Sequence, residues 1–336
     1  MTSRERVRST LDFVRPDQIP RDLWYPIGIE MFRRTELDNV LAKYPRDFVL
    51  PDFVYGRSGR EKGDPGVGEY VDAWGCHWVV GEPGVTGEVK NPAIASWSDL
   101  DSYTLPWEML DNADVSRVNK QCAESDQFVL LYFSNETRPF ERMQFLRGTE
   151  NLFIDMAYGS KELYRLREML HEFYLKEVEM WANTDIDGFA LDDDWGTQIS
   201  LLIPPDQWRE LFKPLYREYC EILHAKGKSV FFHSDGNIES ILPDFIEIGV
   251  DAINCQLFCM DIEALAERFG GEITFWGEID QQQILPFGTT EQVREAVQRV
   301  RRAFASVDGG VIAQCAWGLV DPIENIEAVF DEWLLK

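Results

Sequence analysis

The chain has 336 residues, with 33 Lys and Arg against 59 Asp and Glu, so its formal net charge is −26 at pH 7. Such an acidic protein repels nucleic-acid phosphates and anionic lipid headgroups, which argues against partners of either kind. Hydrophobic residues make up 45% and aromatic residues 13% of the chain, a composition that supports a large core and argues against disorder.

Cysteine usage and the N-terminal sequence bear on the cellular compartment. The chain begins Met-Thr-Ser-Arg-Glu-Arg without an apolar leader, and it contains no apolar run of membrane-spanning length. Its six cysteines are scattered, without the tight spacing of a disulfide framework. These features predict a cytoplasmic protein with free thiols.

Eight apolar, strand-like segments recur along the chain, and helical patterns fill most of the intervals between them. Residues 56–106 depart from this rhythm, since they are rich in Gly and Pro and predict a hairpin-bearing excursion. The pattern predicts an α/β fold, a (β/α)8 TIM barrel with an N-terminal helical and hairpin excursion, in a single domain over residues 1–336. A doubly wound sheet is the alternative, but no glycine-rich phosphate fingerprint follows the first strand. The predicted strands cover residues 19–25, 48–54, 128–133, 187–192, 228–235, 251–256, 272–276 and 310–315, and the predicted helices cover residues 2–12, 28–43, 139–157, 160–184, 205–226, 238–248, 261–269, 289–307 and 322–335.

Barrel enzymes place their chemistry at the C-terminal ends of the strands. The residues at the predicted strand ends are mostly carboxylates and thiols with one histidine, a set that indicates a metal or proton-transfer site. They are Asp22, Trp24, Asn135, Glu136, Asp192, Asp193, Asp194, His233, Asp235, Cys255, Gln256, Glu278, Asp280 and Cys315.

His233 and Asp235 form the most informative pair. Positions i and i+2 of a strand point to the same face, so both side chains can converge at one strand end. The eighth strand of a barrel opens onto the same mouth, which adds Cys315 to a candidate zinc ligand set. The alternatives are a strand-ending turn whose polar residues cap the next helix, and an inert buried cysteine.

The run Asp192-Asp193-Asp194 places three like charges in succession, so at least one of them needs a partner or a raised pKa. A solvated loop in which one Asp caps the next helix is the alternative. Trp195, Trp276 and Trp317 lie beside these strand ends and could form an apolar wall for a flat substrate.

Seven motifs together resemble the uroporphyrinogen decarboxylase superfamily over essentially the whole chain. This resemblance implies a (β/α)8 barrel, and a reaction that is either cofactor-free decarboxylation or zinc-dependent methyl transfer between corrinoid proteins and thiols. The motifs are Pro20-Arg-Asp-Leu-Trp, Asp72-Ala-Trp-Gly, Phe145-Leu-Arg-Gly-Thr-Glu, Asp193-Asp-Trp-Gly-Thr-Gln, His233-Ser-Asp-Gly-Asn, Phe275-Trp-Gly-Glu-Ile-Asp and Pro322-Ile-Glu-Asn-Ile.

Two departures separate the branches of the superfamily. The decarboxylases carry an N-terminal arginine pair, whereas this chain reads Trp24-Tyr-Pro-Ile-Gly-Ile-Glu-Met at that place. The methyltransferases carry His-x-Cys and a distant Cys as zinc ligands. Here Asp235 replaces the first cysteine and Cys315 matches the second, so the resemblance implies zinc held by His233, Asp235 and Cys315.

These observations predict a methyltransferase that moves a methyl group between a small methylated substrate or thiol and a corrinoid protein. The corrinoid is expected on a partner protein because the chain lacks the Asp-x-His-x-x-Gly signature, and a homodimer is the family expectation. The alternatives are a metal-free decarboxylase or lyase acting on a carboxylate, and a catalytically silent subunit of a methyltransferase complex. The predicted catalytic residues are Asp193, Asp194 and Glu278, and the predicted substrate-binding residues are Trp24, Glu136, Asp192, Trp195, Gln256 and Trp317.

The charges at the strand ends also predict substrate preference. Uroporphyrinogen carries eight carboxylates and needs convergent arginines, which the selected positions lack. The sequence therefore predicts a neutral or negative cavity for a neutral or cationic methylated substrate. The nearest arginines are Arg57, Arg60, Arg138, Arg142 and Arg147, and the last is expected to pair with an acid in its own helical segment.

Overall fold

The computed structural model describes residues 1–335 and confirms the TIM barrel. Eight parallel strands form a nearly closed ring in the order β1-β11-β10-β9-β8-β7-β6-β2. At the remaining gap, the Asp47 backbone N–H donates to the Arg21 carbonyl oxygen at 2.9 Å, which ties β2 to β1. The strands are β1 (Arg21–Trp24), β2 (Phe48–Val49), β3 (Gly68–Val71), β4 (His77–Val80), β5 (Glu88–Asn91), β6 (Phe128–Leu131), β7 (Gly188–Asp192), β8 (Ser229–Ser234), β9 (Ala252–Cys255), β10 (Thr274–Trp276) and β11 (Val311–Ala316).

Helices surround the strands, with short 3₁₀ turns at Trp97–Asp101, Glu239–Ile241 and Leu257–Cys259. None of the helices within residues 1–335 combines the length and the apolar composition needed to cross a membrane. The helices are α1 (Ser3–Leu11), α2 (Ile27–Phe32), α3 (Arg34–Lys43), α4 (Glu108–Asp111), α5 (Val118–Glu124), α6 (Pro139–Arg147), α7 (Thr149–Tyr158), α8 (Lys161–Ala182), α9 (Pro205–Leu211), α10 (Lys213–Ala225), α11 (Leu242–Ile248), α12 (Ile262–Phe269), α13 (Ile284–Phe287), α14 (Thr290–Ala303) and α15 (Ile323–Leu334).

Three long predicted helices are each broken in two. The break between α6 and α7 falls at Gly148, whose φ of +83° is a left-handed conformation that glycine adopts without strain. The break between α9 and α10 falls at Phe212, two residues before Pro214, which has no backbone N–H to continue the helix. The third break falls at Arg33, between α2 and α3.

The core has two layers because alternate residues of each strand face opposite sides. The inner layer fills the barrel and includes Phe231, Trp276 and Ile312, with Val7 of α1 reaching it from the N-terminal end of the chain. The outer layer lies between the strands and the helices and contains most of the other buried apolar side chains. Both faces of the barrel strands are therefore buried, as is usual for parallel sheets.

The predicted excursion forms a separate antiparallel sheet of three strands, β3, β4 and β5. Tyr70 and Trp78 stack across its first two strands, with ring centroids 5.9 Å apart. The Trp78 ring contacts Phe145 of α6, so the sheet packs beside the loops at the C-terminal ends of the barrel strands. It therefore forms one wall of the barrel mouth.

Candidate active site

His233 occupies the inner face of β8 at the mouth of the barrel. The β7–β8 register aligns Asp192 with His233, and the β8–β9 register aligns His233 with Asn254. The His233 Nδ1 atom lies 2.6 Å from Asn254 Oδ1, while the Asn254 amide nitrogen donates to the Trp276 carbonyl oxygen. Because that amide oxygen can only accept, His233 carries a proton on Nδ1 and presents Nε2 to the cavity.

Two carboxylates face the His233 Nε2 atom. Asp194 Oδ1 lies 3.5 Å from it and Asp235 Oδ1 lies 3.8 Å from it. The loops that carry these acids interlock, since the Asp235 backbone N–H donates to Asp194 Oδ1 at 2.8 Å. A side chain at Gly236, where φ is +79°, would collide with the backbone of Gly196, so glycine permits this close approach.

The carboxylates control the protonation of His233. Burial alone would lower the pKa of the His233 imidazole, but the hydrogen bond that the ring donates to Asp194 and the charges of Asp192, Asp194 and Asp235 raise it well above its usual value. Although burial opposes it, the hydrogen bond to His233 lowers the pKa of Asp194. Burial and the neighbouring Asp194 charge raise the pKa of Asp235. The cluster therefore holds a proton at neutral pH, shared between His233 and Asp194.

Two further acids near this cluster are kept partly or wholly neutral. Burial, reinforced by the Asp235 charge, raises the pKa of Glu278 to about 8. Burial and the charges of Asp192 and Asp194 raise the pKa of Glu141 to about 7. The site thus contains proton donors with pKa values near neutrality, which suits general acid catalysis.

The same cluster has the donors for a metal ion. Within residues 1–335, the one group of three candidate ligands is Asp192, Asp194 and His233, whose ligand atoms lie within 4.8 Å of one another. Carboxylate oxygens and an imidazole nitrogen fit a divalent cation, and a cation would offset the excess negative charge. Asp235 is 3.8 Å from His233 and extends this set.

The prediction that Cys315 completes the ligand set is wrong in this geometry. Gln314 and Ala316 of β11 face the barrel interior, and Cys315 lies between them on the opposite face. Its parallel partner in β1, Leu23, packs in the same outer layer. The thiol is fully buried among outer-layer side chains, and burial raises its pKa well above the usual value.

The prediction that Asp193 is catalytic also conflicts with its position. Asp193 directly follows β7, on the side that faces the helices, and is fully buried. Its carboxylate accepts the backbone N–H groups of Phe140 and Glu141, at 2.9 and 2.7 Å, and the hydroxyl of Tyr216. It therefore caps the start of α6, where a carboxylate satisfies otherwise unpaired N–H groups.

Some of the predicted substrate-binding residues lie at the barrel mouth, and others lie in the outer layer of the core. Trp24 faces the mouth, with its ring centroid 5.3 Å from that of His233. Trp195 and Trp317 are fully buried in the outer layer, where Trp195 stacks on Phe140 at 4.2 Å and Arg33 lies over the Trp317 ring. These two tryptophans are core residues and do not line the mouth.

Glu136, Asp192 and Gln256 lie at the mouth. Glu136 accepts hydrogen bonds from Arg142 at 2.5 Å and from the Trp74 indole at 2.8 Å. Gln256 lines a cavity of about 320 Å³ together with Glu278 and accepts a hydrogen bond from Gln198 at 2.9 Å.

Two arginines lie at the barrel mouth, where the sequence predicts none. Arg138 and Arg142 line a cavity of about 490 Å³ at the mouth, so the prediction that no arginines converge there is wrong. Arg138 lies 3.3 Å from Asp192, and Arg142 lies 2.5 Å from Glu136. Both guanidinium groups are thus neutralised by carboxylates. Arg147 pairs with Asp155 at 2.8 Å, as predicted.

One protein-family model matches most of the chain. The uroporphyrinogen decarboxylase (URO-D) family model matches residues 71–333. This chain belongs to the uroporphyrinogen decarboxylase family. The resemblance inferred from the motifs is therefore confirmed.

Two solved structures match this chain over nearly its whole length. A methyltransferase from Methanosarcina mazei has a TM-score of 0.66 and 14% sequence identity, over 99% of this chain and 98% of that one. A glycosylated endo-β-1,4-xylanase from Gloeophyllum trabeum has a TM-score of 0.47 and 10% identity, over 99% of this chain and 100% of that one. No curated protein sequence matches this chain.

Proposed function

We propose that this protein is a methyltransferase of the URO-D superfamily that moves a methyl group between a small methylated substrate or thiol and the corrinoid of a partner protein. The observation that carries the proposal is the partly buried His233 with Asp194 and Asp235 at the barrel mouth. The overall likeness to a methyltransferase from Methanosarcina mazei supports the same fold assignment.

Proton delivery is the chemical task that this site suits. When a methyl group leaves an oxygen or nitrogen atom, the bonding pair stays on that atom, and a proton must arrive for a neutral product to depart. His233 can supply this proton from Nε2, because Asp194 and its neighbours raise the pKa of the imidazole. Asn254 holds the ring in one orientation through Nδ1, so the proton is presented to the cavity.

Glu278 provides a second acid beside the site. Its pKa of about 8 keeps the carboxyl protonated at neutral pH, and it lines the cavity next to Gln256. A neutral carboxyl can donate a hydrogen bond to a substrate heteroatom without adding negative charge. We assign it a role in orienting the leaving atom.

A divalent cation, zinc in the family pattern, would be held by His233, Asp194 and Asp192, with Asp235 at their side. On His233 the ion would replace the proton at Nε2, so the metal-bound site would act by polarising the heteroatom and the metal-free site by delivering a proton. Such an ion polarises a heteroatom or lowers the pKa of a bound thiol. The ligand set in this proposal is built from oxygen and nitrogen and excludes Cys315. This is the main difference from the zinc set implied by the sequence.

A decarboxylase or lyase remains the second candidate, because Arg138 and Arg142 lie at the mouth. Substrate carboxylates would need these guanidinium groups to be free. Asp192, Glu141 and Glu136 already lie within 3.6 Å of them, so a polycarboxylate would compete with carboxylates of the protein itself. This competition favours methyl transfer over porphyrinogen decarboxylation.

Methyl transfer to cob(I)alamin in solution tests the proposal. Purified protein would be incubated with aryl methyl ethers, methylamines and methyl thioethers, with and without added zinc, and cob(I)alamin consumption would be followed by absorbance. We expect protein-dependent methylation with at least one donor class and none with uroporphyrinogen as substrate. Decarboxylation of uroporphyrinogen at an enzymatic rate, without methyl transfer, would replace the proposal by the second candidate.

A further inference from the structure

A second cavity adjoins His233 on the side of β1. It has a volume of about 580 Å³, within the usual range of about 300–1,000 Å³ for small-molecule sites. Aromatic rings dominate its walls. They belong to Trp24, Tyr25, Tyr132 and Phe133.

The cavity connects directly with the candidate active site. Trp24 and Phe133 both line it, and their ring centroids lie 5.3 and 5.6 Å from that of His233. Phe133 has φ of +55°, which is unusual for a residue with a side chain, and the residue is 44% exposed. Such backbone conformations cluster at ligand sites.

Arg46 is the one arginine that lines this cavity, and Glu30, which also lines it, acts on the guanidinium without forming an ion pair with it. Its guanidinium contacts the Leu23 carbonyl oxygen and the Tyr132 hydroxyl, both at 3.5 Å, and lies 5.8 Å from the centre of the Tyr25 ring. Among residues 1–335, no carboxylate forms an ion pair with it within 4.0 Å, in contrast to Arg138 and Arg142. Most of its hydrogen-bonding capacity therefore faces the cavity.

The charge on Arg46 is retained despite partial burial. Burial disfavours the ion, but the neighbouring acidic groups, including Tyr132 and Asp22, raise the net pKa of the guanidinium. Within residues 1–335, Asp22 and Glu30 act on Arg46 from beyond ion-pair distance, so a ligand anion would be the first carboxylate or sulfonate in direct contact with its partly buried charge. A guanidinium presents a planar fork that matches a carboxylate or sulfonate.

We infer that Arg46 binds an anionic group of the substrate, a carboxylate or a sulfonate, whose flat or apolar body lies between the aromatic walls and directs the methyl group toward His233. This inference rests on the proposed function for the identity of the reacting group, but it assigns the anion subsite independently. It differs from the sequence-based expectation of a neutral or cationic substrate, because Arg46 lies apart from the acidic cluster around His233.

A direct binding measurement tests this inference independently of the methyl-transfer proposal, because it requires no turnover. Isothermal titration calorimetry would compare benzoate, benzenesulfonate and the neutral analogue benzamide on the wild-type protein. We expect saturable binding of one of the two anions and at least about tenfold weaker binding of benzamide, the size expected for a charged hydrogen bond. The two anions distinguish a carboxylate ligand from a sulfonate ligand.

Substitutions of Arg46 test whether this residue binds the anion. Arg46→Gln is expected to weaken binding of the anion about tenfold or more, and Arg46→Lys less, because lysine keeps the charge but loses the fork. Arg15→Gln is the matched control. Arg15 is exposed, pairs with Asp308 and lines a different cavity. Circular dichroism and thermal unfolding would verify the fold of each variant.

The inference is overturned if neither anion binds the wild-type protein saturably, if benzamide binds as tightly as both, or if Arg46→Gln binds the anion as wild type does. The comparison of the two anions with benzamide on the wild-type protein tests the inference even if Arg46→Gln does not fold. Anion binding without methyl transfer would reject the proposed function alone. Methyl transfer from neutral ethers that is indifferent to Arg46 would reject this inference alone.

Discussion

The inner and outer faces of the barrel strands carry residues of similar type in different roles: those on the inner face line the candidate active site, and those on the outer face stabilise the packing of the helices. Asp194 and Asp193 are adjacent carboxylates at the end of β7. Asp194 faces the mouth and lies 3.5 Å from His233, whereas Asp193 faces the helices and accepts two backbone N–H groups at the start of α6. His233 and Cys315 differ in the same way, on β8 and β11. The side of the strand, more than the residue type, separates chemistry from structure in this protein.

Exchanging each of the two aspartates for asparagine tests this contrast with the largest expected effect. Asp194→Asn should lower the methyl-transfer rate about 10²–10⁴-fold, because it removes the charge that keeps His233 protonated. Its thermal stability should change little. The measurements are initial rates and thermal unfolding.

The matched variant Asp193→Asn should behave in the opposite way. Loss of the cap and of the Tyr216 contact should destabilise the protein by about 1–3 kcal/mol, with the rate per folded molecule preserved. A catalytic defect in folded Asp193→Asn that equals that of Asp194→Asn would break the distinction between the two faces.

The inner-face carboxyl of Glu278 predicts a pH dependence of stability. Its pKa is about 8 in the folded state against an ordinary 4.5, so between these values the folded protein holds a proton that the unfolded chain has released. Stability should therefore fall as pH rises through this window, by on the order of a few kcal/mol, and level off above about pH 8.

Glu278→Gln should abolish this part of the pH dependence, measured by chemical denaturation from about pH 5 to about pH 9 in the presence of a chelator. The matched control is Glu263→Gln. Its exposed carboxyl has a pKa of about 2, lowered by the Arg299 ion pair, so it stays charged throughout the window. If wild type and Glu278→Gln lose stability equally with rising pH, the assignment of a neutral carboxyl is wrong.

Cys315→Ala has the smallest expected effect. The thiol is fully buried in the outer layer, so its removal should cost about 1 kcal/mol of unfolding free energy. Metal content and methyl-transfer rate should match the wild type, as measured by elemental analysis and initial rates. A loss of bound metal in this variant would return Cys315 to the ligand set.

Local pattern was sufficient for the fold. All eight barrel strands overlap segments that the sequence predicts as strands, and β8 ends at Ser234, between His233 and Asp235. The i, i+2 spacing of these two residues correctly placed them on one face. The roles assigned to them stay predictions.

The predictions for Cys315 and Asp193 are wrong because both faces of the barrel strands are buried. Both faces of a parallel barrel strand are apolar, so hydrophobic alternation does not reveal which face Cys315 or Asp193 occupies. The convergence of Arg46, Arg138 and Glu141 on the mouth depends on contacts between distant segments, which local spacing does not encode. For Cys315, the polar Gln314 beside it was the one available signal that the inner face fell on the neighbouring residue.

The most direct test of the account is the initial rate of cob(I)alamin methylation by wild-type protein and by His233→Ala in the same assay, with circular dichroism as the control for folding. The account predicts methyl transfer by the wild type and a rate about 10²–10⁴-fold lower for the variant, because His233 delivers the proton to the leaving atom. An undiminished rate in folded His233→Ala would contradict it.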